Sequence, residues 1–131
     1  MGDNHTATSS QRSLYKRRGG AGRLLFATRN SLAGLRAAVQ SEAAFRQLLL
    51  LSVVLLPLAM VLEVSRAERA LLVAVVLLAL IVELLNSALE AAVDRISLEE
   101  HPLSGQAKDM GSAAQMLALI LIAAVWGAIL L

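Results

Sequence analysis

The chain has 131 residues, of which 57% are hydrophobic and only 17% are charged, with a mean hydropathy of +0.67. A soluble domain of this size has too small a core to bury so much apolar surface, so the composition indicates a single integral membrane domain. Aromatic residues make up 3% of the chain and cysteine is absent, which excludes disulfides and cysteine-ligated metals and argues against a nucleic-acid partner.

The net charge of +2 hides an excess of basic residues ahead of the first long apolar run, where only Asp3 and Glu42 oppose them. These basic residues are Arg12, Lys16, Arg17, Arg18, Arg23, Arg29, Arg36 and Arg46. Lys and Arg beside a first span hold that end of a chain in the cytoplasm, so the distribution predicts a cytoplasmic N-terminus. Residues 1–22 lack hydrophobic periodicity, and we expect a disordered basic tail that is either solvated or close to anionic headgroups.

The predicted membrane domain covers residues 23–131. It opens with an amphipathic segment over residues 23–47, in which apolar residues alternate with basic ones at helical spacing. This pattern is typical of a helix that lies on the membrane surface. Asn30 and Ser31 are residue types that cap or break helices, so the segment is predicted to be either one helix or two.

The first predicted span covers about residues 45–63 and is almost wholly apolar. It is short for a hydrocarbon core of about 30 Å. Arg46 stands near its start, where it either snorkels to the surface or pairs with Glu42 four residues earlier. Pro57 lies in its second half and predicts a kink.

Two further spans are predicted over about residues 69–93 and 110–131. A short hydrophilic loop over residues 63–69 precedes the second span, and a longer loop over residues 97–109 precedes the third. Trp126, near the far end of the third span, is predicted to anchor it at the membrane–water interface. With the N-terminus inside, the longer loop is cytoplasmic and the C-terminus lies on the outer side.

A stripe of polar residues follows the apolar part of the second span. Glu83, Asn86, Glu90 and Asp94 stand at helical offsets that place them within roughly 80° of one another on a helix. Carboxylates inside a membrane are costly unless paired, so they are candidates for a functional site. In the predicted topology the stripe begins in the inner half of the span and emerges at the cytoplasmic face.

The residue types at this boundary suit phosphoryl transfer. Carboxylates such as Glu90 and Glu42 bind Mg²⁺ together with phosphate oxygens, and Lys108 is a cation able to neutralise phosphate charge. Glu83 is the deepest acid and lies where a lipid hydroxyl would arrive, which makes it the candidate general base. A glycine-rich nucleotide-binding loop is not found, since Gly22 is not followed by the Lys-Ser/Thr pair of such a loop.

Structural explanations remain open beside these functional ones. The acids of the stripe can be simple surface neighbours four residues apart, and Asn86 with Ser87 can be hydrogen-bonding contacts between helices. His101 before Pro102 fits a loop residue as well as a ligand. A non-enzymatic membrane scaffold, or a small ion or proton transporter that uses the acidic stripe, also remains an alternative.

Three segments together resemble the prokaryotic diacylglycerol kinase family. They are EAAFRQ at 42–47, ELLNSALEAAVDR at 83–95 and LSGQAKDMGSAA at 103–114. The likeness extends over roughly residues 23–131. It implies an all-α membrane protein of the bacterial inner membrane, with one amphipathic surface helix and three spans in each chain and a homotrimeric bundle with shared active sites. The implied reaction converts diacylglycerol and Mg·ATP into phosphatidic acid and ADP.

The resemblance also implies roles for individual residues. Glu83 matches the catalytic base with Asn86 supporting it, and Glu42 and Glu90 match the Mg²⁺ carboxylates, with Glu42 expected from a neighbouring chain. The implied ATP contacts are Arg23, Asn30, Glu42, Glu90, Glu99, Glu100, His101, Lys108 and Asp109. The implied lipid contacts are Arg23, Ser31, Arg36, Ala44, Phe45, Arg46, Gln47, Glu83, Ser112 and Trp126.

Some positions depart from the family pattern. Leu48 stands where an acid is common, and Gln106 stands where a basic residue often contributes a phosphate-facing charge. An undecaprenol kinase, which has the same fold, is the alternative activity. The segments at 43–47 and 104–112 resemble the diacylglycerol type more closely.

Overall fold

The computed structural model describes residues 19–96 and 99–131, and within them every regular element is an α-helix. The helices are α1 (Gly20–Ser41), α2 (Ala43–Val61), α3 (Arg66–Ile96) and α4 (Pro102–Leu130). By length and composition, α2, α3 and α4 are each able to cross a membrane. The predicted all-α class with three spans is therefore confirmed. The tail predicted at the N-terminus lies, up to residue 18, outside the described residues.

Helix α1 is continuous through Asn30 and Ser31, so the amphipathic segment forms one helix and not two. The Ser31 hydroxyl donates to the carbonyl oxygen of Ala27 at 2.9 Å, and the Thr28 hydroxyl donates to that of Leu24 at 2.8 Å. These bonds to the preceding turn satisfy the hydroxyls inside the helix, so neither residue ends it. The chain divides into two compact units with the boundary after Ala37.

An arginine closes the turn between α1 and α2. Glu42 is the one residue between the two helices and has extended backbone angles. Arg46 Nη1 donates to the carbonyl oxygens of Val39 at 2.9 Å and Gln40 at 3.3 Å. The last carbonyls of a helix lack partners within the helix, and a cation there also suits the helix dipole. Arg46 was expected either to snorkel to the surface or to pair with Glu42. In the structure its guanidinium instead caps the carbonyl end of α1.

The turn between α2 and α3 is also closed by an arginine, and α3 begins with a capping box. The backbone N–H of Ser65 donates to Glu68 Oε2 at 2.8 Å, and the N–H of Glu68 donates to Ser65 Oγ at 3.2 Å. Each side chain thus satisfies a backbone donor at the start of α3. Arg69 donates back to the end of α2, to the carbonyls of Ala59 at 3.1 Å and Leu62 at 2.9 Å.

Helix α4 begins earlier than predicted. The loop expected over residues 97–109 gives way to helix from Pro102 onward. His101 occupies the N-cap, and its Nδ1 accepts the backbone N–H of Leu103 at 3.1 Å. Proline lacks an N–H and has a fixed φ, so it suits the first turn of a helix, where the N–H would have no partner. The turn signal at residues 101–102 therefore marks a helix start.

Helix α3 packs against both α2 and α4. The buried core consists of Leu48, Ala59, Leu72, Val75, Val76, Ala79, Ala118, Ile122 and Trp126. Trp126 is only 7% exposed, and its indole N–H donates to the carbonyl oxygen of Leu72 at 3.2 Å. The prediction that Trp126 is an interfacial anchor is therefore wrong, because the indole is buried between helices with its polar atom bonded to α3.

Helices α3 and α4 are longer than a membrane core. The 31 residues of α3 correspond to about 46 Å, against about 30 Å of hydrocarbon. The two helices run antiparallel, with Leu72 beside Trp126 at one end and Asp94 beside Lys108 at the other. The excess length lets the Asp94 end extend beyond the apolar zone.

Candidate functional site

The polar stripe on α3 passes from the interior to the surface. Glu83 is only 4% exposed, Asn86 and Glu90 are partly buried, and the side chain of Asp94 is 54% exposed. Asn86 Nδ2 donates to Glu90 Oε1 at 3.5 Å, so adjacent members of the stripe share one face. The sequence-predicted gradient from a deep acid to a water-exposed acid is present in the structure.

Asn86 is fitted tightly against α4 at Gly111. A Cβ on Gly111 would collide with Asn86 Oδ1, so only glycine leaves room for the amide. Oδ1 is buried and finds no hydrogen-bond partner among residues 19–96 and 99–131. Such an atom costs about 1–3 kcal/mol when nothing bonds to it. Asn86 is therefore held in place, with an acceptor left for another group.

A cavity of about 540 Å³, the Glu83 cavity, opens between α2, α3 and α4. Its lining is Ala44, Glu83, Asn86, Ser112, Gln115, Met116, Leu119, Ile120 and Ala123. The polar members cluster at one end, and the α4 residues that follow Gln115 form an apolar wall. The cavity thus brings together four predicted site residues: Glu83, Asn86, Ala44 and Ser112.

Gln115 is a member of the Glu83 cavity that sequence reasoning missed. Its Oε1 is buried and, within the part of the chain that the structure describes, has no hydrogen-bond partner. The signal was an amide in the third apolar span, three residues after Ser112 and so on the same side of the helix. Ser87 Oγ is also buried without a described partner, and it does not line this cavity.

A second cavity, the Asp94 groove, lies at the other end of the stripe and has a volume of about 590 Å³. Lys108 Nζ and Asp94 Oδ1 form an ion pair across it at 2.5 Å. The lining residues are Val93, Asp94, Glu99, Glu100, His101, Pro102, Ser104, Gly105 and Lys108. Four residues predicted to contact ATP therefore share this groove, whereas the fifth from this region, Asp109, is exposed outside it.

Glu42 and Glu90 are the two carboxylates that the family resemblance assigns to Mg²⁺. Glu42 lies between α1 and α2, Glu90 lies on the polar stripe of α3, and both are partly buried. The expectation that Glu42 comes from a neighbouring chain stays a prediction. No group of three or more His, Cys, Asp or Glu side chains placed to hold a metal occurs within the described ranges. Two carboxylates nevertheless fit Mg²⁺, which keeps waters or phosphate oxygens as its other ligands.

The other residues predicted to contact the lipid or ATP do not line either of these two cavities. Phe45 is buried in the protein interior, Arg46 binds the backbone at the end of α1, and Gln47 is exposed. Trp126 lies in the core. The residues predicted on α1 are all exposed, and they are Arg23, Asn30, Ser31 and Arg36. Substrate contacts by these side chains stay predictions.

Comparison with known proteins gives consistent matches. The family model described as prokaryotic diacylglycerol kinase matches residues 29–130. A protein named diacylglycerol kinase from Pseudomonas aeruginosa is 65% identical over 119 residues, covering 91% of this chain and 97% of that protein. Proteins of the same name from Haemophilus influenzae and Escherichia coli are 47% and 51% identical, covering 82% and 79% of this chain and 91% and 85% of theirs.

Proposed function

The chain belongs to the prokaryotic diacylglycerol kinase family and is a kinase, and we propose that it phosphorylates 1,2-diacylglycerol with ATP at the cytoplasmic membrane surface. The products are phosphatidic acid and ADP. The similarity to proteins named diacylglycerol kinase over most of the chain supports this lipid as the acceptor. Membership of a kinase family also sets aside the scaffold and transporter alternatives.

The observation that carries the proposal is the burial of Glu83 at the polar end of a cavity whose other wall is apolar. A diacylglycerol has the same division, with one hydroxyl at its polar end and two acyl chains. Its chains can lie along the exposed apolar residues Met116, Leu119 and Ile120 while its hydroxyl reaches Glu83. A buried carboxylate at that point is a suitable proton acceptor.

In the proposed reaction the lipid hydroxyl oxygen forms a bond to the γ-phosphorus of ATP. The bond from that phosphorus to the β–γ bridging oxygen breaks, and ADP leaves with the electron pair. Glu83 accepts the hydroxyl proton, while Asn86 supports the site through its contact with Glu90. Positioning and electrostatic stabilisation supply most of the catalysis in such transfers.

The nucleotide is proposed to lie in the Asp94 groove, with Lys108 facing its phosphates. Contacts from Glu99, Glu100 and His101 are supported by their place in the groove lining; those from Asp109, Arg23 and Asn30 rest on the family resemblance. Glu42 and Glu90 would hold Mg²⁺, which neutralises phosphate charge when bound. Glu90 is suited to this role because it stands between Glu83 and Asp94 on one helix face.

The proposed setting is the bacterial inner membrane, with the N-terminus in the cytoplasm and the C-terminus on the outer side. The relatives are bacterial, and the basic residues ahead of α2 support this orientation. We also propose a homotrimer with shared active sites. Chemical cross-linking of the purified protein in micelles tests this, and a product no larger than a monomer would contradict it.

The substrate is tested by offering the purified chain Mg·ATP with either 1,2-diacylglycerol or undecaprenol and measuring lipid phosphorylation. The proposal predicts a kcat/KM for diacylglycerol at least tenfold higher. A preference for undecaprenol would assign the chain to the alternative activity. The two lipids share the reacting hydroxyl, so the comparison isolates recognition of the rest of the molecule.

A further inference from the structure

We propose that Gln115 determines lipid specificity by donating a hydrogen bond from its side-chain amide to the ester carbonyl oxygen beside the reacting hydroxyl. This inference rests on the proposed function and adds a recognition contact to it. The contact would distinguish a glycerol ester from a lipid alcohol that carries only hydrocarbon. The residue that selects the lipid substrate would then lie on α4, opposite Glu83, which receives the proton.

The antiparallel register of α3 and α4 places Gln115 level with Glu83. Leu72 contacts Trp126 and Asn86 contacts Gly111. Gln115 stands four positions after Gly111 and Glu83 stands three positions before Asn86, so each step is about one helical turn. Both side chains line the same cavity. A lipid whose hydroxyl is at Glu83 therefore has the Gln115 amide beside its next carbon atoms.

The amide of Gln115 is not fully used by the protein. Its Oε1 is buried with no hydrogen-bond partner in the described part of the chain, although buried polar atoms are almost always bonded. A half-turn of the amide exchanges Oε1 and Nε2 at nearly the same positions, so the same site presents either an acceptor or a donor. An ester carbonyl oxygen is an acceptor that the Nε2 donor satisfies.

The surroundings of Gln115 restrict which ligand supplies that acceptor. Met116 follows Gln115 directly and Leu119 lies one turn further along α4, and both are exposed and apolar. The ligand must therefore carry a polar group within reach of Gln115 and hydrocarbon immediately beyond it. A 1,2-diacylglycerol meets both requirements, because the carbon next to the hydroxyl-bearing one carries an ester that leads into an acyl chain. A polyprenol has no acceptor at this level.

The test compares 1,2-diacylglycerol with 1,2-dialkylglycerol of equal chain length, which has the same hydroxyl but no ester carbonyls. Initial rates are measured on the full chain in micelles at saturating Mg·ATP. The wild type is expected to show a KM about fivefold lower for the diacyl lipid, as one hydrogen bond would give. Gln115→Met keeps the length of the side chain and is expected to bring that KM ratio to about one by raising the KM for the diacyl lipid.

Two further variants complete the test. Gln40→Met alters an exposed glutamine outside the cavity and is expected to keep the wild-type ratio. Gln115→Leu removes the amide by a different side chain, and it replaces Gln115→Met if that variant does not fold. A wild-type ratio of one, or a ratio that persists in the folded Gln115 variants, would overturn the inference.

The same data separate this inference from the proposed function. A wild type that phosphorylates both glycerolipids with equal KM leaves the proposed function standing and refutes the role of Gln115. A wild type that phosphorylates neither glycerolipid refutes the proposed function, and the inference with it. Loss of thermal stability in Gln115→Met with an unchanged KM ratio would identify a purely structural role and also overturn the inference.

Discussion

The two ends of the seam between α3 and α4 are built differently. At the Leu72 end, Trp126 fills the interface and its indole N–H is bonded to a backbone carbonyl. At the Glu83 end, a carboxylate is buried and the amide oxygens of Asn86 and Gln115 have no described partner. Two cavities also open along this half of the seam.

This difference separates the part that holds the helices together from the part that meets ligands. Unpaired buried polar groups lower stability, so their concentration at one end indicates groups reserved for something that binds there. Packing at the Leu72 end can offset the loss of stability caused by the unpaired polar groups at the Glu83 end. Variants at the two ends should therefore fail in different ways, and the following predictions run from the largest expected effect to the smallest.

Glu83→Gln is expected to lower phosphorylation by about 10²–10⁴-fold, the usual contribution of a general base. The amide has nearly the shape of the carboxylate, so the helices should still pack. Lipid phosphorylation is measured with saturating lipid and Mg·ATP. Glu63→Gln is the matched control, since Glu63 is exposed in the turn between α2 and α3, and it should retain full activity. Near-normal turnover in Glu83→Gln would remove Glu83 from the role of base.

Trp126→Ala is expected to lower the free energy of unfolding by about 3 kcal/mol, because it leaves a cavity at the packed end. Trp126→Phe keeps most of the ring and removes the N–H donor, so about 1 kcal/mol is expected. Reversible unfolding in mixed micelles measures both. An unchanged unfolding transition in Trp126→Ala would mean that this end of the seam does not carry the stability assigned to it.

Gly111→Ala is expected to lower kcat roughly tenfold or more, because the added methyl group displaces the Asn86 amide and small misplacements in active sites are costly. Gly127→Ala on the same helix is the matched control, as a Cβ there would meet nothing within 4 Å. It should keep full activity. Equal activity of the two variants would show that the position of Asn86 is unimportant for the reaction.

Glu90→Gln is expected to raise the Mg²⁺ concentration for half-maximal activity by roughly tenfold, with a smaller change in the KM for lipid. Titration with Mg²⁺ at fixed ATP measures the first quantity, and lipid titration at saturating Mg²⁺ measures the second. An unchanged metal titration would contradict the assignment of Glu90 to the metal. A parallel loss in both titrations would indicate a structural role for the carboxylate.

Features that repeat along the chain were predictable from the sequence. The three apolar runs and the spacing of Glu83, Asn86, Glu90 and Asp94 follow helical periodicity, and the structure has helices there with the acids on one face. Among the residues that follow Asp94, Lys108 was predicted from its charge to face phosphate, whereas Glu99, Glu100 and His101 were predicted as ATP contacts only through family resemblance. Their common groove results from the short connection between α3 and α4, which the sequence alone did not reveal.

Features that depend on contacts between distant residues were not predictable. Trp126 and Leu72 are separated by 54 positions, and the ring matches an interfacial anchor equally well until its partner is known. Pro102 signals a turn and a helix start alike, and only the His101 cap distinguishes them. Gln115 was overlooked because a single amide in an apolar span gains meaning only from the cavity that it faces.

The most direct test of the contrast between the two ends measures kcat and the unfolding midpoint of Glu83→Gln and Trp126→Phe side by side in the same micelles. The expected result is a crossed pattern. Glu83→Gln should lose at least about a hundredfold in kcat with an unfolding midpoint equal to or above that of the wild type. Trp126→Phe should lose far less kcat than Glu83→Gln and should unfold at a lower midpoint. If Glu83→Gln kept its turnover, or if it lost stability as Trp126→Phe does, the division of roles between the two ends would be contradicted.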